Sequence, residues 1–219
     1  VHHELREFAD ADDAAVAAAD YLFELASDVV GRSRSFTCAV SGGRTPEGMF
    51  AELDTRDVPW DRTVVYQVDE RVAPPGDRQR NLTGLVESLS TSAPVIEAMP
   101  VNEKDLDGAA RRYGALLPAR LDLVHLGLGP DGHTASLVPG DPALEVTDRL
   151  VTLTGAYQGY RRMTLTYPAL ARANQLLWLV TGSEKRAALS QLLAGDTAIP
   201  AGRVEARRSL IMADRSALA

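Results

Sequence analysis

The chain has 219 residues, 45% hydrophobic and 24% charged, a composition that supports a packed core without disulfide or metal staples and excludes a disordered chain. Thirty Asp+Glu against 23 Lys+Arg leave a net charge of −7. Such a surface repels phosphate backbones and anionic lipid, so neither nucleic acid nor a membrane is expected as a partner. A small anionic ligand stays compatible with this balance where donors and cations cluster locally.

Cys38 is the sole cysteine, which excludes an intrachain disulfide and a cysteine zinc site and fits a reducing compartment. The segment Val1–Glu7 has no apolar stretch of the signal-peptide kind, and apolar runs such as Gln175–Val180 are too short to span a bilayer. A cytoplasmic location is expected.

In chain order, residues 10–31 read as an amphipathic helix capped by Asp10 or Asp12, with Val16, Leu22, Leu25, Ala26, Val29 and Val30 at helical spacing. Residues 36–40 form a short buried strand that runs into Ser41-Gly42-Gly43-Arg44-Thr45-Pro46. Thr45 as cap and Pro46 at the first position suit a helix continuing through Leu53. A second strand, 63–68, ends in Asp69-Glu70-Arg71 and a Pro-Gly loop; 81–89 reads as helix, 95–98 as strand, and 103–117 as a helix stopped by Pro118. The strand 121–126 leads into Gly127-Leu128-Gly129-Pro130-Asp131-Gly132-His133-Thr134-Ala135-Ser136. Further strands are expected at 150–153, 163–166, 175–181 and 209–213, with a helix over 184–193 stopped at Gly195. No repeat, low-complexity tract or linker intervenes, so residues 1–219 are expected to form a single domain.

Apolar strands alternating with helices predict an α/β fold built on a single doubly wound, mostly parallel sheet with helices on both faces. Ligands bind such sheets beyond the carboxyl ends of the strands. The segments 41–46, 69–71, 129–136 and 181–185, which carry most of the chemically loaded residues, each follow a strand.

The 41–46 segment fits an anion cradle, with unobstructed backbone N–H groups backed by a helix N-terminus. It fits a plain tight turn with Thr45 as N-cap equally well. In the 127–133 loop, three glycines permit close ligand approach, and Asp131, two residues before His133, can orient the imidazole; the alternative is that Asp131 caps a helix and His133 is solvated. Of Asp69, Glu70 and Arg71, at most two can face one site, because neighbours leaving a strand point to opposite sides; the alternative is a surface ion pair. Lys185, in a helix first turn, opposes the macrodipole unless an anion sits there. Arg161 and Arg162 complete such an anion site or are merely exposed. His125 reads as a core or sheet-face residue, and His2 and His3 as part of a mobile terminus. No HExxH spacing, Cys cluster or Gly-x-Ser-x-Gly elbow is present, so neither a metal site nor serine-hydrolase chemistry is expected.

Taken together, Ser41–Pro46, Asp69-Glu70-Arg71, Asn81, the stretch Leu126–Gly140 and Thr181-Gly182-Ser183-Glu184-Lys185 resemble the 6-phosphogluconolactonases of the glucosamine-6-phosphate isomerase/6-phosphogluconolactonase family, in that family's order and from about residue 8 to the end. Asp131-Gly132-His133-Thr134-Ala135-Ser136 is the most specific part. Two positions depart from the pattern: Arg44 stands where a small hydroxylated residue is usual, and Val138 where Phe is usual.

The resemblance implies the fold shared with glucosamine-6-phosphate deaminase and hydrolysis of 6-phospho-D-glucono-1,5-lactone, the second step of the oxidative pentose phosphate pathway, with no metal or organic cofactor. It implies His133 as the base that activates water, Asp131 as its orienting partner and Arg71 as the stabiliser of the C1 oxyanion. Ser41, Gly42, Gly43 and Thr45 would cradle the phosphate, Arg162 and Lys185 neutralise it, and Arg44, Asp69 and Asn81 complete the substrate-binding set. The expected partner is a small sugar-phosphate lactone, and the chain is expected to be a monomer or weak homodimer. An amino-sugar phosphate deaminase would carry Asn-Glu at 137–138, where Leu137 and Val138 cannot move protons. A non-catalytic sugar-phosphate sensor would need neither His133 nor Arg71 and usually adds a DNA-binding module.

Overall fold

A computed structural model describes residues 2–32, 34–92 and 94–218. Among them, ten strands form two sheets: β1 (His3–Phe8), β2 (Phe36–Val40), β3 (Thr63–Gln67), β4 (Asp69–Arg71), β5 (Val95–Glu97), β6 (Leu121–Leu126), β7 (Val151–Tyr157), β8 (Tyr160–Leu165), β9 (Ala173–Val180) and β10 (Ser209–Asp214). Seven of them make a sheet in the order β1-β10-β9-β6-β2-β3-β5, with every neighbouring pair parallel. Parallel strands covered on both faces lose the inside–outside alternation, and β6 is buried along its whole length.

One face is covered by α1 (Ala11–Gly31), α2 (Arg44–Leu53) and α3 (Asn81–Ser88), whose core joins Leu22, Met49 and Leu85 to Phe36, Leu123 and Leu177 of the sheet. The other face is covered by α4 (Leu106–Leu116), α5 (Tyr167–Leu170), α6 (Arg186–Leu193) and the antiparallel sheet β4-β8-β7, with Tyr113, Met163, Trp178 and Leu192 in its core. The chain therefore adopts the doubly wound α/β class expected from the sequence, with a small antiparallel sheet added to it. Among the described residues, no helix is long and apolar enough to cross a membrane.

The strand order places the functional loops. From β2 the chain moves outward through β3 to β5, then returns to β6 on the other side of β2 and moves outward the opposite way through β9 and β10. The direction reverses between β2 and β6, and the loops leaving neighbouring strands there must diverge, opening a crevice beyond their carboxyl ends. The two glycine-rich segments, 41–43 and 127–132, are the loops that leave those strands.

Several local expectations change. Asp10, not Asp12, caps α1, accepting from the N–H groups of Asp12 and Asp13. The buried stripe of that helix is made of Ala14, Ala15, Ala18, Ala19, Leu22, Ala26 and Val29, whereas Val16 is exposed. Thr45 does not cap α2: the helix starts at Arg44 behind Gly43, whose φ of 117° only glycine adopts readily. His3 is tied into the edge strand β1, with Nδ1 2.7 Å from Ser209 Oγ. Asp69–Arg71 is a strand, and the expected strands at 150–153 and 163–166 lengthen into a hairpin beside it.

Candidate active site

The crevice at the switch point is a pocket of about 240 Å³. Its wall includes Ser41, Gly42, Gly43, Arg44, Thr45, Asp69, Arg71, Asn81, His133, Arg162 and Lys185. Asp131 alone of the candidate residues lies outside the lining, behind His133.

The loop after β2 is shaped by packing. Ser41 N–H donates to His125 Nδ1 at 3.4 Å and Ser41 Oγ to His125 O at 3.2 Å, so the backbone donors free to meet a ligand begin at Gly42. A side chain at Gly42 would lie 2.5 Å from Asn81 Cγ, which is why glycine stands where the loop crosses α3. Thr45 Oγ1 pairs with Thr181 Oγ1 at 3.0 Å across the crevice.

Asp69, Glu70 and Arg71 divide as alternation on a strand requires. Asp69 and Arg71 line the pocket, while Glu70 turns away and is fully buried. Glu70 is a structural anchor: it accepts from Gln67 Nε2 (3.0 Å) and the N–H groups of Arg71 (2.8 Å), Asn81 (2.8 Å) and Leu82 (2.9 Å), with Arg80 Nε at 3.3 Å. The last two N–H groups open α3, so the carboxylate holds the start of that helix. Asn81 in turn donates from Nδ2 to Asp69 Oδ1 (3.1 Å) and accepts from Arg71 Nη1 (2.9 Å), fixing the guanidinium over the pocket. These are buried networks, which removes the surface ion-pair alternative.

Arg162 is buried rather than exposed, 4% accessible, and its Nε finds no hydrogen-bond partner. Burial holds its pKa below the usual guanidinium value, and burial likewise raises that of Asp69 against the opposing pull of Ser136, Arg162 and Arg71. Ser136 Oγ bridges these two residues, donating to Asp69 Oδ2 and lying 3.4 Å from Arg162 Nη1. Ser136 lies inside the 127–136 stretch, but nothing in the sequence distinguishes it from its neighbours.

The loop after β6 leads into turns rather than a helix, so Asp131 caps no helix. Gly129 N–H donates to His133 O (2.8 Å) and Gly132 N–H to Gly129 O (3.0 Å), folding the loop back on itself. His133 Nδ1 donates to Asp131 Oδ1 at 2.5 Å, leaving Nε2 as the acceptor. Burial pushes the Asp131 carboxyl up, but the His133 hydrogen bond and charge outweigh it and hold it below the ordinary range, so it stays ionised. Tyr157, which the sequence reading did not single out, packs on this pair; the Gln158-Gly159 step between Tyr157 and Tyr160 is its only sign in the sequence. Lys185 closes the far wall on a short turn preceding α6.

A carboxylate-held imidazole faces guanidinium groups and a glycine loop across one open crevice, the arrangement of an enzyme that binds a small anion and moves a proton. The family model described as glucosamine-6-phosphate isomerases/6-phosphogluconolactonase matches residues 9–212. The 6-phosphogluconolactonase of Nostoc sp. is 34% identical over 194 residues, 80% of each chain, and that of Rhizobium meliloti 35% identical over 199 residues, 84% of this chain and 85% of the relative. The crystal structure of 6-phosphogluconolactonase from Thermotoga maritima superposes with a TM-score of 0.87 at 25% identity, covering 97% of this chain and all of the other. A monomeric glucosamine-6-phosphate deaminase shares the fold with a TM-score of 0.81 at 19% identity. The chain belongs to the glucosamine-6-phosphate isomerase/6-phosphogluconolactonase family.

Proposed function

We propose that this chain is a lactone hydrolase that converts 6-phospho-D-glucono-1,5-lactone and water to 6-phosphogluconate. The observation that carries the reading is the Asp131-held His133, with Nε2 free, facing Arg71 and Arg162 in one pocket. In this reading His133 Nε2 takes a proton from water as the oxygen attacks the lactone carbonyl. Arg71, steadied by Asn81 and Asp69, meets the charge that develops on the carbonyl oxygen. Collapse of the tetrahedral intermediate breaks the ring C–O bond, and His133 returns the proton to the leaving ring oxygen. The donors from Gly42 onward, with Arg44, Thr45, Arg162 and Lys185, grip the distal phosphate and hold the carbonyl against His133. No step asks for a metal or organic cofactor.

The hydrocarbon side chains of Leu137 and Val138 speak against amino-sugar deamination, because a proton relay at those positions would need polar side chains. Coupling glucose-6-phosphate dehydrogenase to 6-phosphogluconate dehydrogenase and following NADPH tests the proposal against spontaneous ring opening. The protein is expected to abolish the lag before the second NADPH, and the His133→Ala variant to leave it. A lag as long with wild type as without protein sinks the reading.

A further inference from the structure

Tyr157 sits at the end of β7, paired with Tyr160 across a two-residue turn in which Gln158 and Gly159 have φ of 52° and 83°, the geometry of a tight type I′ hairpin. That turn carries the phenol back over the loop after β6. Its hydroxyl donates to Asp131 Oδ2 at 3.3 Å, its ring meets the His133 imidazole edge-on at 5.3 Å, and Arg162 Cζ lies 5.1 Å from the ring centre. Arg162 Nη2 also reaches the Tyr157 carbonyl at 3.4 Å. One residue thus touches the base dyad and the buried guanidinium. Burial, together with the charge on Asp131, holds the phenol above its usual pKa, so the O–H remains a donor.

We infer that Tyr157 is a positioning residue for the hydrolysis proposed above, its hydroxyl tuning the Asp131–His133 dyad and its ring holding Arg162 against the pocket. The inference rests on that functional reading. The charged and titratable groups around the dyad are the Tyr157 hydroxyl from β7, Arg162 from β8, Asp69 and Arg71 from β4, Arg44 from α2, and Glu184 and Lys185 before α6. Tyr157→Phe removes the first alone. Asp131 then loses a donor and becomes more basic, and its hold on protonated His133 strengthens. The acidic limb of kcat/KM moves upward by about half a pH unit, so activity below that limb falls about threefold, with KM unchanged. Tyr157→Leu also loses the stack on Arg162, and KM rises about fivefold.

The test combines pH–rate profiles of wild type and both variants with an NMR titration of the His133 ring, assigned by its absence in His133→Asn. Upward movement of both the titration and the limb in Tyr157→Phe, with KM raised only in Tyr157→Leu, establishes the role. An unmoved His133 titration in Tyr157→Phe, or a KM within twofold of wild type in Tyr157→Leu, overturns it. If wild type does not hydrolyse the lactone, the functional reading falls, and the titration, which needs no turnover, still upholds or overturns the role of the hydroxyl.

Discussion

Arg71 and Arg162 stand Cα opposite Cα across the antiparallel β4–β8 pair, and both side chains line one pocket. Like charges placed directly opposite on a sheet destabilise it, and burial of Arg162 adds to that cost. Asp69 balances the pair only in part, since its own burial favours the neutral carboxyl. A pocket built this way gains most from an anionic ligand. The two ends of the substrate are then expected to respond to different cations. Arg71→Ala should lower kcat by about a hundredfold while product binding weakens much less. Lys185→Ala should raise KM for the phosphorylated lactone and leave an unphosphorylated lactone unaffected. Steady-state kinetics on both lactones check this, and an Arg71→Ala effect confined to KM would reassign that residue to binding.

Replacement of His133 by Asn is expected to reduce kcat by about 10²- to 10⁴-fold, the usual contribution of a positioned general base. Calorimetric affinity for 6-phosphogluconate should change less than threefold. Turnover at the wild-type rate would remove His133 from the base role.

Gly129 is required by close approach rather than by its dihedral angles. A Cβ there would overlap the His133 ring at Nδ1 and stand 2.7 Å from Asp131 Oδ1. Gly129→Ala should therefore displace the imidazole and lower kcat by about a hundredfold, as a misplacement near 1 Å does, while circular dichroism shows a folded protein. Retention of full activity would mean that the dyad geometry is not what sets the rate.

His125 provides a test of stability. Burial pushes its imidazole down to about 4, whereas the unfolded chain titrates near pH 6.5. As pH falls, the unfolded state takes up the proton first. Stability due to this group is therefore fully present above about 6.5, declines between about 6.5 and 4, and is level below that, a loss of roughly 3 kcal/mol. Urea midpoints for wild type should fall across that window, and those of His125→Leu should fall less steeply. Equal slopes in the two proteins would refute the assignment.

Much of the fold is legible because central parallel strands are apolar on both faces and helices follow them at their own period. The stretches 36–40, 63–68, 121–126, 175–181 and 209–213 all announce themselves in this way, with ends that differ from the observed strands by at most two residues. β1 does not: His-Glu-Leu-Arg-Glu-Phe pairs along one edge only, so most of its side chains stay exposed and polar. β4 does not either, since three consecutive charged residues become a strand only because β8 supplies the partner and the Asn81, Ser136 and Glu70 networks satisfy the carboxylates.

The α/β class, the glycine loops beyond the strand ends, and the types of side chain from which the site is made can be read along the chain, because these depend on local periodicity and on what each residue can do chemically. That Glu70 anchors α3 while its neighbours face the pocket, that Arg162 is buried opposite Arg71, that Asp131 serves His133 instead of a helix, and that Tyr157 joins the two are facts of long-range packing. Those facts depend on which strands lie side by side at the switch point and on where a hairpin from 151–165 folds back. Contacts between segments so far apart along the chain leave no period or spacing in it.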